Sequence, residues 1–155
     1  MTQLNINIRS ASLEDVKLLR EFEQGVITAE RPFAANLKAG EIFYYDLEAL
    51  IASNDSNLLI AEMDGLPVAC GYATIRNSKP HITPDLYSYI GFIYVVPEQR
   101  GKKLAGHILQ ALVAWSKSRD VHAFELEVFT ENESAIRAYE KFGFKANLTQ
   151  MWMSE

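Results

Sequence analysis

The chain has 155 residues, 48% of them hydrophobic and 23% charged, with a formal net charge of −5 at pH 7. This size and composition are typical of one globular domain, which we expect over residues 1–155. The acidic balance argues against a nucleic-acid partner, because such proteins carry a basic excess or a basic face. Met1–Arg9 lacks the basic and apolar regions of a signal peptide, and no apolar stretch is long enough to span a membrane. We therefore expect a cytoplasmic protein with no nucleic-acid or membrane partner.

Cysteine and histidine usage does not indicate a disulfide or a metal site. Cys70 is the single cysteine, and its apolar neighbours indicate a small buried side chain rather than a nucleophile. His81, His107 and His122 do not have the spacing of a metal site. We therefore predict a protein without a bound metal. The nucleophile-elbow pattern of acyl-enzyme hydrolases is also missing, so acyl-enzyme chemistry has no support in the sequence.

In chain order, the pattern first predicts a short strand and two helices. Asn5–Arg9 alternates and is expected to be a strand. Ser12 begins a capping pattern, and a helix is expected from there to about residue 24. Thr28–Gly40 contains proline and glycine and is expected to be a loop, whereas Ile42–Ser53 is expected to be a second helix.

The second half of the chain begins with a predicted hairpin, whose turn is Asp64-Gly65, and then alternates strands and helices. The expected strands are Leu58–Met63, Val68–Ile75, Ser88–Val96, Ala123–Phe129 and Leu148–Ser154, and the expected helices are Leu104–Ser118 and Glu133–Phe142. The full order is β-α-α-β-β-β-α-β-α-β. It predicts a mixed α/β fold with helices on both faces of the sheet, built around a hairpin and a βαβ unit.

The junction between the Ser88–Val96 strand and the next helix has the features of an anion site. A strand–loop–helix junction with glycines exposes backbone amides at the positive end of the helix dipole, which suits a phosphate or pyrophosphate. Gly101 and Gly106 would let the backbone approach the anion. Three basic side chains add positive charge: Arg100, Lys102 and Lys103.

Two common nucleotide sites do not match this junction. A P-loop needs a lysine and a hydroxyl residue after its last glycine, but His107 and Ile108 follow Gly106. The G-x-G-x-x-G spacing of a dinucleotide site is absent as well. A nucleotide-phosphate binder is therefore disfavoured.

A second motif lies about thirty residues further on. Asn132-Glu-Ser-Ala-Ile-Arg-Ala-Tyr-Glu-Lys-Phe-Gly-Phe144 matches N-x-x-A-x-x-x-Y-x-x-x-G-F at every named position. The junction matches [Q/R]-x-x-G-x-[G/A] at Arg100 and Ala105, with Lys103 in place of the middle glycine. In these two motifs and in the order of its elements, the chain resembles the GNAT superfamily of N-acetyltransferases.

This resemblance implies an acetyl-CoA-dependent N-acetyltransferase with a mostly antiparallel sheet and a V-shaped opening between the fourth and fifth strands. Acetyl-CoA would lie in the opening and be held by the loop Gln99–Gly106, with its pantetheine arm along the fourth strand and its pyrophosphate on the amides of Arg100 through Gly106. The cofactor-binding residues that the resemblance implies are Ile93, Tyr94, Val95, Arg100, Gly101, Lys102, Lys103, Leu104, Ala105, Gly106 and Asn132.

Tyr139 would stand beside the CoA sulfur. A phenol of pKa about 10 is protonated at neutral pH and can donate its proton to a departing thiolate. The base is not determined, because Gly91 stands where some relatives carry a carboxylate. The candidates for the base are Glu30, Asp46, Tyr87, Tyr89 and a chain of water molecules.

The surroundings of the site are predicted less specifically. The segment Thr28–Tyr45, with Arg31, Phe33 and Tyr44–Asp46, is expected to line the acceptor side, and Glu125 and Glu127 are expected on the outer face of their strand. The acceptor would be an amine of a small molecule or peptide. The alternatives are a protein N-terminal or lysine acetyltransferase and a non-catalytic acyl-CoA-binding module. The family also suggests a homodimer.

Overall fold

The computed structural model describes residues 5–155, so residues 1–4 of the predicted domain lie outside the described part. Its strands are β1 (Ile6–Ser10), β2 (Ser56–Met63), β3 (Leu66–Asn77), β4 (Leu86–Val95) and β5 (Phe124–Glu125). Its α-helices are α1 (Val16–Glu30), α2 (Leu47–Ala52), α3 (Leu104–Ser118) and α4 (Glu133–Phe142). Short 3₁₀ turns at Leu13–Asp15 and Pro97–Gln99 lead toward α1 and α3.

The five strands form one sheet in the order β1-β2-β3-β4-β5. Neighbours are antiparallel from β1 to β4, and β5 joins β4 in parallel. One core packs α3 and α4 against the sheet through residues such as Ile108 and Phe142. A second core packs α1 and α2 through Phe22 and Leu47. The predicted mixed α/β fold with helices on both faces is confirmed.

The first helix begins at the predicted capping pattern and runs beyond its predicted end. The Ser12 amide donates to the Asp15 carboxylate at 2.7 Å, and the Arg9 guanidinium binds the same carboxylate at 2.8 and 2.9 Å. Arg9 is the main reason that the pKa of Asp15 is lowered to about 2. Because buried apolar residues continue in register, α1 reaches Glu30, and Pro32 follows soon after its end.

The extended α1 changes the neighbouring segments. The predicted loop Thr28–Gly40 begins only after α1, so its first three residues are helical. The second helix was expected from Ile42 but begins at Leu47. Residues 42–46 are irregular, because the amides of Tyr44 and Tyr45 donate to a side chain on α1 instead of joining a helix.

The C-terminal third differs most from prediction. The helices α3 and α4 have their predicted bounds, but β5 has two residues rather than the expected seven between Ala123 and Phe129. The strand predicted at Leu148–Ser154 is wrong, since these residues have no regular structure and Leu148 is 92% exposed. A strand needs a paired neighbour, and an edge of two residues offers too few backbone partners.

A β-bulge lies in the middle of β4. Cys70 pairs with Tyr94 and Tyr72 pairs with Gly91, so two residues of β4 stand opposite the single residue between them on β3. The bulged Phe92 has a φ of 57°. A bulge bends its strand and increases the local twist. β4 pairs with β5 only at Ser88 and Tyr89 and separates from it just before the bulge, which forms the predicted opening between the fourth and fifth strands.

The loop from β4 to α3 contains a left-handed lysine. Gly101 has a φ of 83°, and Lys103, immediately before α3, has φ 63° and ψ 22°. An L-residue pays about 1–2 kcal/mol for this conformation, which glycine adopts freely. The chain therefore keeps the backbone shape that a glycine would favour, at a cost in stability.

We predict that Lys103→Gly stabilises the fold relative to Lys102→Gly by about 1 kcal/mol. A new glycine at either position destabilises the fold, because it raises the conformational entropy of the unfolded chain. At position 103 the glycine also relieves the left-handed strain, which offsets that cost, whereas Lys102 is not in the left-handed conformation. Free energies of unfolding from denaturant titration would check this. Equal stabilities for the two variants would mean that Lys103 is not strained.

Candidate active site

The separation of β4 from β5 opens a cavity of about 640 Å³. Its walls are Ile90–Ile93 of β4, residues Leu126–Thr130 after β5, the end of α1, Tyr44 and Tyr45, and Tyr139 of α4. Helices from both faces of the sheet therefore contribute side chains to one space. The sequence places these segments far apart along the chain, and the sheet topology brings them together.

Tyr139 lies on the α4 side of this cavity, as expected for a residue that faces the opening. Its ring packs edge-on against Phe144, with ring centroids 6.1 Å apart. Burial, and then the charge of Glu30, raise the pKa of Tyr139 to about 12. The phenol is therefore protonated at neutral pH and available as a proton donor.

Two carboxylates, Glu30 and Glu127, line the cavity, and none of its described lining residues is a lysine, arginine or histidine. Burial raises the pKa of Glu30. Burial of Tyr44, and then the charge of Glu30, raise the pKa of Tyr44 to about 12. The Tyr44 hydroxyl is buried and makes no hydrogen bond within the described residues.

Glu127 is not on an outer strand face, so that prediction is wrong for this residue. The chain leaves the sheet after Glu125, and an alternating pattern then no longer separates two faces. Glu127 instead borders the cavity. After burial, its charge is the next cause of the raised pKa of Tyr89. The alternating pattern predicted a paired strand here and so gave no indication that Glu127 borders the cavity.

The candidate bases divide into two groups. Glu30 and Tyr89 line the cavity, whereas Asp46 and Tyr87 are not in its lining. Asp46 caps α2, because its carboxylate accepts the Ala49 amide at 3.1 Å. Burial is also the main cause of the raised pKa of Tyr89, which makes it a poor base near neutral pH.

An aromatic ring occupies the space beside Gly91. A Cβ on Gly91 would lie 2.7 Å from the hydroxyl oxygen of Tyr72, closer than the two groups can pack. Tyr72 is buried and lies 5.9 Å from the Tyr45 ring. This chain therefore has a tyrosine ring against the strand position where some relatives carry a carboxylate, and any base must come from another wall.

The acceptor-side segment reaches the cavity through only some of its predicted residues. Tyr44 and Tyr45 line it, whereas Arg31, Phe33 and Asp46 do not. The Arg31 guanidinium instead donates to backbone carbonyls within its own loop, at 3.0 and 2.6 Å.

The loop that precedes α3 exposes its backbone amides. Within residues 5–155, the amides from Gly101 to Gly106 donate to no protein group, and the first bond of the helix runs from His107 to the Lys103 carbonyl. The Arg100 side chain donates to the Val95 carbonyl at 3.2 Å and ties the loop to the end of β4. The Leu104 side chain is buried in the core, so only its backbone could contact a bound molecule.

Two other expected cofactor residues have additional structural roles. The Tyr94 ring packs against Phe22 of α1, with centroids 5.1 Å apart, so its side chain points away from the opening. The Asn132 side chain accepts the Ala135 amide at 3.4 Å and caps α4. Cys70 is fully buried, and its thiol donates to the Phe92 carbonyl at 3.5 Å.

The described part of the chain has neither a cluster of metal-ligating side chains nor a membrane-spanning helix. Residues 5–155 contain no group of three histidine, cysteine, aspartate or glutamate residues that could hold a metal ion. No helix in this part of the chain combines the length and the apolar character of a membrane span.

Comparison with known proteins places the chain among acetyltransferases. It is 28% identical over 131 residues to a mycothiol acetyltransferase from Brachybacterium faecium, covering 83% of this chain and 39% of that protein. The chain thus spans about two fifths of the length of curated relatives that it matches.

Solved structures share the fold. A mutant of the BH1408 protein from Bacillus halodurans aligns with a TM-score of 0.86 and 19% identity, covering 96% of this chain and 99% of that one. A predicted acetyltransferase from Clostridium acetobutylicum, solved with acetyl-CoA, aligns with a TM-score of 0.74 and 22% identity, covering 96% of both chains. The family model for the acetyltransferase (GNAT) family matches residues 24–144. The chain therefore belongs to the acetyltransferase (GNAT) family.

Proposed function

We propose that the protein transfers the acetyl group of acetyl-CoA to a primary amine by direct attack in a ternary complex. The observation that carries this proposal is the cavity beside the separated edge of β4, where a protonated tyrosine and two carboxylates meet. Ile93, near the end of β4 that leads to α3, lines one side of the cavity, and Tyr44 and Tyr45 line it as well. This arrangement fits a cofactor that lies along β4 and an acceptor that lies against Tyr44 and Tyr45, with the reacting atoms inside the cavity.

The cofactor would bind mainly through backbone groups. Among the described residues, β4 has no strand partner on its β5 side after Tyr89, so Ile93 and Val95 can pair with the amides of a pantetheine arm. The Arg100 amide, which was also expected to bind the pyrophosphate, donates to the Pro97 carbonyl at 3.3 Å instead. The amides of residues 101–106 would hold the pyrophosphate, helped by the positive end of the α3 dipole. Asn132 would contact the pantetheine as well as capping α4.

Tyr139 would act as the general acid. When the amine attacks the thioester carbonyl, negative charge moves to the oxygen and then to the departing sulfur. The raised pKa of Tyr139 keeps its proton in place until the sulfur acquires that charge. The phenol then donates the proton and the CoA thiol leaves neutral.

We assign the base to Glu30. An amine with a pKa near 10.4 is protonated at pH 7 and must lose a proton before attack. A carboxylate with a raised pKa is a stronger base than an ordinary one, and burial raises the pKa of Glu30, which lines the cavity. Glu127 would attract the cationic amine from the opposite wall.

The charge of the cavity suggests which amines are accepted. Two carboxylates and several tyrosine rings attract a cationic or aromatic amine, while none of the described lining residues is a cation that could bind an acidic group. An amine without a neighbouring carboxylate is therefore the preferred acceptor. This also argues against a non-catalytic binding module, which has no need of charged groups on the acceptor side. The homodimer stays a prediction.

We predict that Tyr139→Phe lowers turnover by a factor of about 10² to 10⁴ and leaves acetyl-CoA affinity unchanged. The phenol acts when the sulfur acquires charge, so its loss falls on the transition state. The assay is acetyl-CoA-dependent thiol release with a panel of amines. The panel includes tyramine and tyrosine, which differ only in the carboxylate next to the amine, and tyramine should react faster.

Tyr87→Phe is the matched control, because Tyr87 is not in the lining of the cavity. It should turn over at the wild-type rate. If Tyr139→Phe did the same with its best amine, the acid role would be excluded. If the wild-type enzyme released no thiol with any amine, the proposed reaction would be excluded.

We predict that Glu30→Gln lowers kcat/KM and removes the acidic limb of its pH profile. In the wild type, activity should fall as the pH drops through the raised pKa of Glu30, because the base becomes protonated. A carboxyl whose folded pKa is raised destabilises the fold when ionised, so Glu30→Gln should be at least as stable at neutral pH.

The comparison variants are Glu127→Gln and Glu125→Gln, the second of which is outside the cavity lining. Glu127→Gln should raise the KM for the amine but keep the acidic limb, and Glu125→Gln should change neither. Loss of the acidic limb in Glu127→Gln alone would move the base to Glu127 and contradict the assignment to Glu30.

A further inference from the structure

A fully buried carboxylate on α1 has no role in the reaction described above. Glu23 is 0% exposed and does not line the cavity. Burying a carboxylate costs several kcal/mol unless hydrogen bonds compensate for the lost water. The hydrogen-bond partners of Glu23 therefore indicate which part of the structure this buried carboxylate stabilises.

Glu23 binds the acceptor-side segment. Its Oε2 atom accepts the backbone amides of Tyr44 and Tyr45, each at 2.8 Å. Its Oε1 atom accepts Nη1 of Arg20 at 3.0 Å. One carboxylate thus binds two successive amides, and an arginine on the same helix balances its charge.

Two more side chains of α1 hold the same segment. Arg20 donates to the Tyr45 carbonyl at 2.9 Å, and Gln24 donates to the Ile42 carbonyl at 2.9 Å. Within residues 5–155, no main-chain hydrogen bond joins residues 42–45 to another part of the chain. The backbone of this segment is therefore held by the side chains of α1, and Glu23 supplies two of the bonds.

The residues held in this way form one wall of the proposed amine site. The Tyr45 ring stacks on Phe92, the bulged residue of β4, at 4.5 Å between centroids and 20° between planes. Tyr44 lines the cavity, and after burial the charge of Glu30, the proposed base, is the next cause of its raised pKa. Movement of the two amides would displace both rings from the cavity.

We propose that Glu23 is a positioning residue, which fixes Tyr44 and Tyr45 as the wall that orients the amine. This inference rests on the proposed acetyl transfer. Glu23 does not touch the reacting atoms and acts through the two backbone amides. Acetyl-CoA binds through β4 and the loop before α3, so its affinity does not depend on this clamp.

The first test measures the clamp without an acceptor. Hydrogen–deuterium exchange of the full chain should show the Tyr44 and Tyr45 amides protected in the wild type. In Glu23→Gln the NH₂ group of the new side chain must face either Arg20 or the two backbone amides, and it cannot accept a hydrogen bond from either. Exchange at the Tyr44 and Tyr45 amides should therefore rise at least about tenfold. Glu23→Ala should raise it further, while the amides of β2 and β3 stay protected in both variants.

The second test separates positioning from stability. With the best amine of the panel, Glu23→Gln should raise the KM for the amine at least about tenfold and leave the dissociation constant of acetyl-CoA unchanged. Leu112→Ala is the control, because Leu112 is fully buried on the α3 side of the sheet. It should lower the melting temperature without changing the KM for the amine.

Each alternative outcome has a defined meaning. Unchanged exchange at Tyr44 and Tyr45 in Glu23→Ala would overturn the clamp. Faster exchange with an unchanged KM for the amine, or parallel increases for both substrates, would overturn the positioning role. A wild-type enzyme that acetylates no amine would remove the proposed function, and the positioning role with it, while the exchange data still decide whether the clamp exists.

Discussion

The bulge at Phe92 is the constraint on which the rest of the structure depends. An unbroken β4 could pair with β5 along its length, as parallel strands do, and the sheet would then have no opening. With an extra residue in the bulge, β4 bends away after Tyr89, and β5 ends at Glu125. The cavity, the free edge of β4 and the irregular segment after β5 all follow from this one change of register. The stacking of Tyr45 on Phe92 also links the acceptor wall to the bulge.

The chemistry of the cavity follows from what it buries. Tyrosine rings cover much of the acceptor side, and their burial raises the pKa values of Tyr44, Tyr45, Tyr72, Tyr89 and Tyr139. These phenols are thus protonated at neutral pH, and among the described lining residues the carboxylates of Glu30 and Glu127 are left as the ionisable groups that can accept a proton. Burial therefore separates the proton donors from the proton acceptors.

Sequence patterns predicted the parts that local interactions determine. The helices α3 and α4 have their predicted bounds, and the Asp64-Gly65 turn forms its hairpin, because periodicity and turn residues act over a few neighbours. The patterns failed where distant segments decide: β5 shortens because β4 bends, and Leu148–Ser154 has no strand partner. Glu23 resembles any polar residue of a helix, and its role appears only when residues 42–46 fold against it. Family motifs singled out Tyr139, which lines the cavity, but nothing in them indicated that Glu127 would line it too.

The most direct measurement of the central claim is the distance between the Tyr139 hydroxyl and the sulfur in a crystal structure with CoA. We expect the pantetheine arm to lie along β4 between Ile93 and Val95, with the sulfur within about 3.5 Å of the hydroxyl, the range of a hydrogen bond to sulfur. A CoA whose sulfur lies on the opposite side of the sheet, or whose pyrophosphate is away from the amides of residues 101–106, would show that the proposed site is wrong. In that case the opening between β4 and β5 would not be the catalytic site.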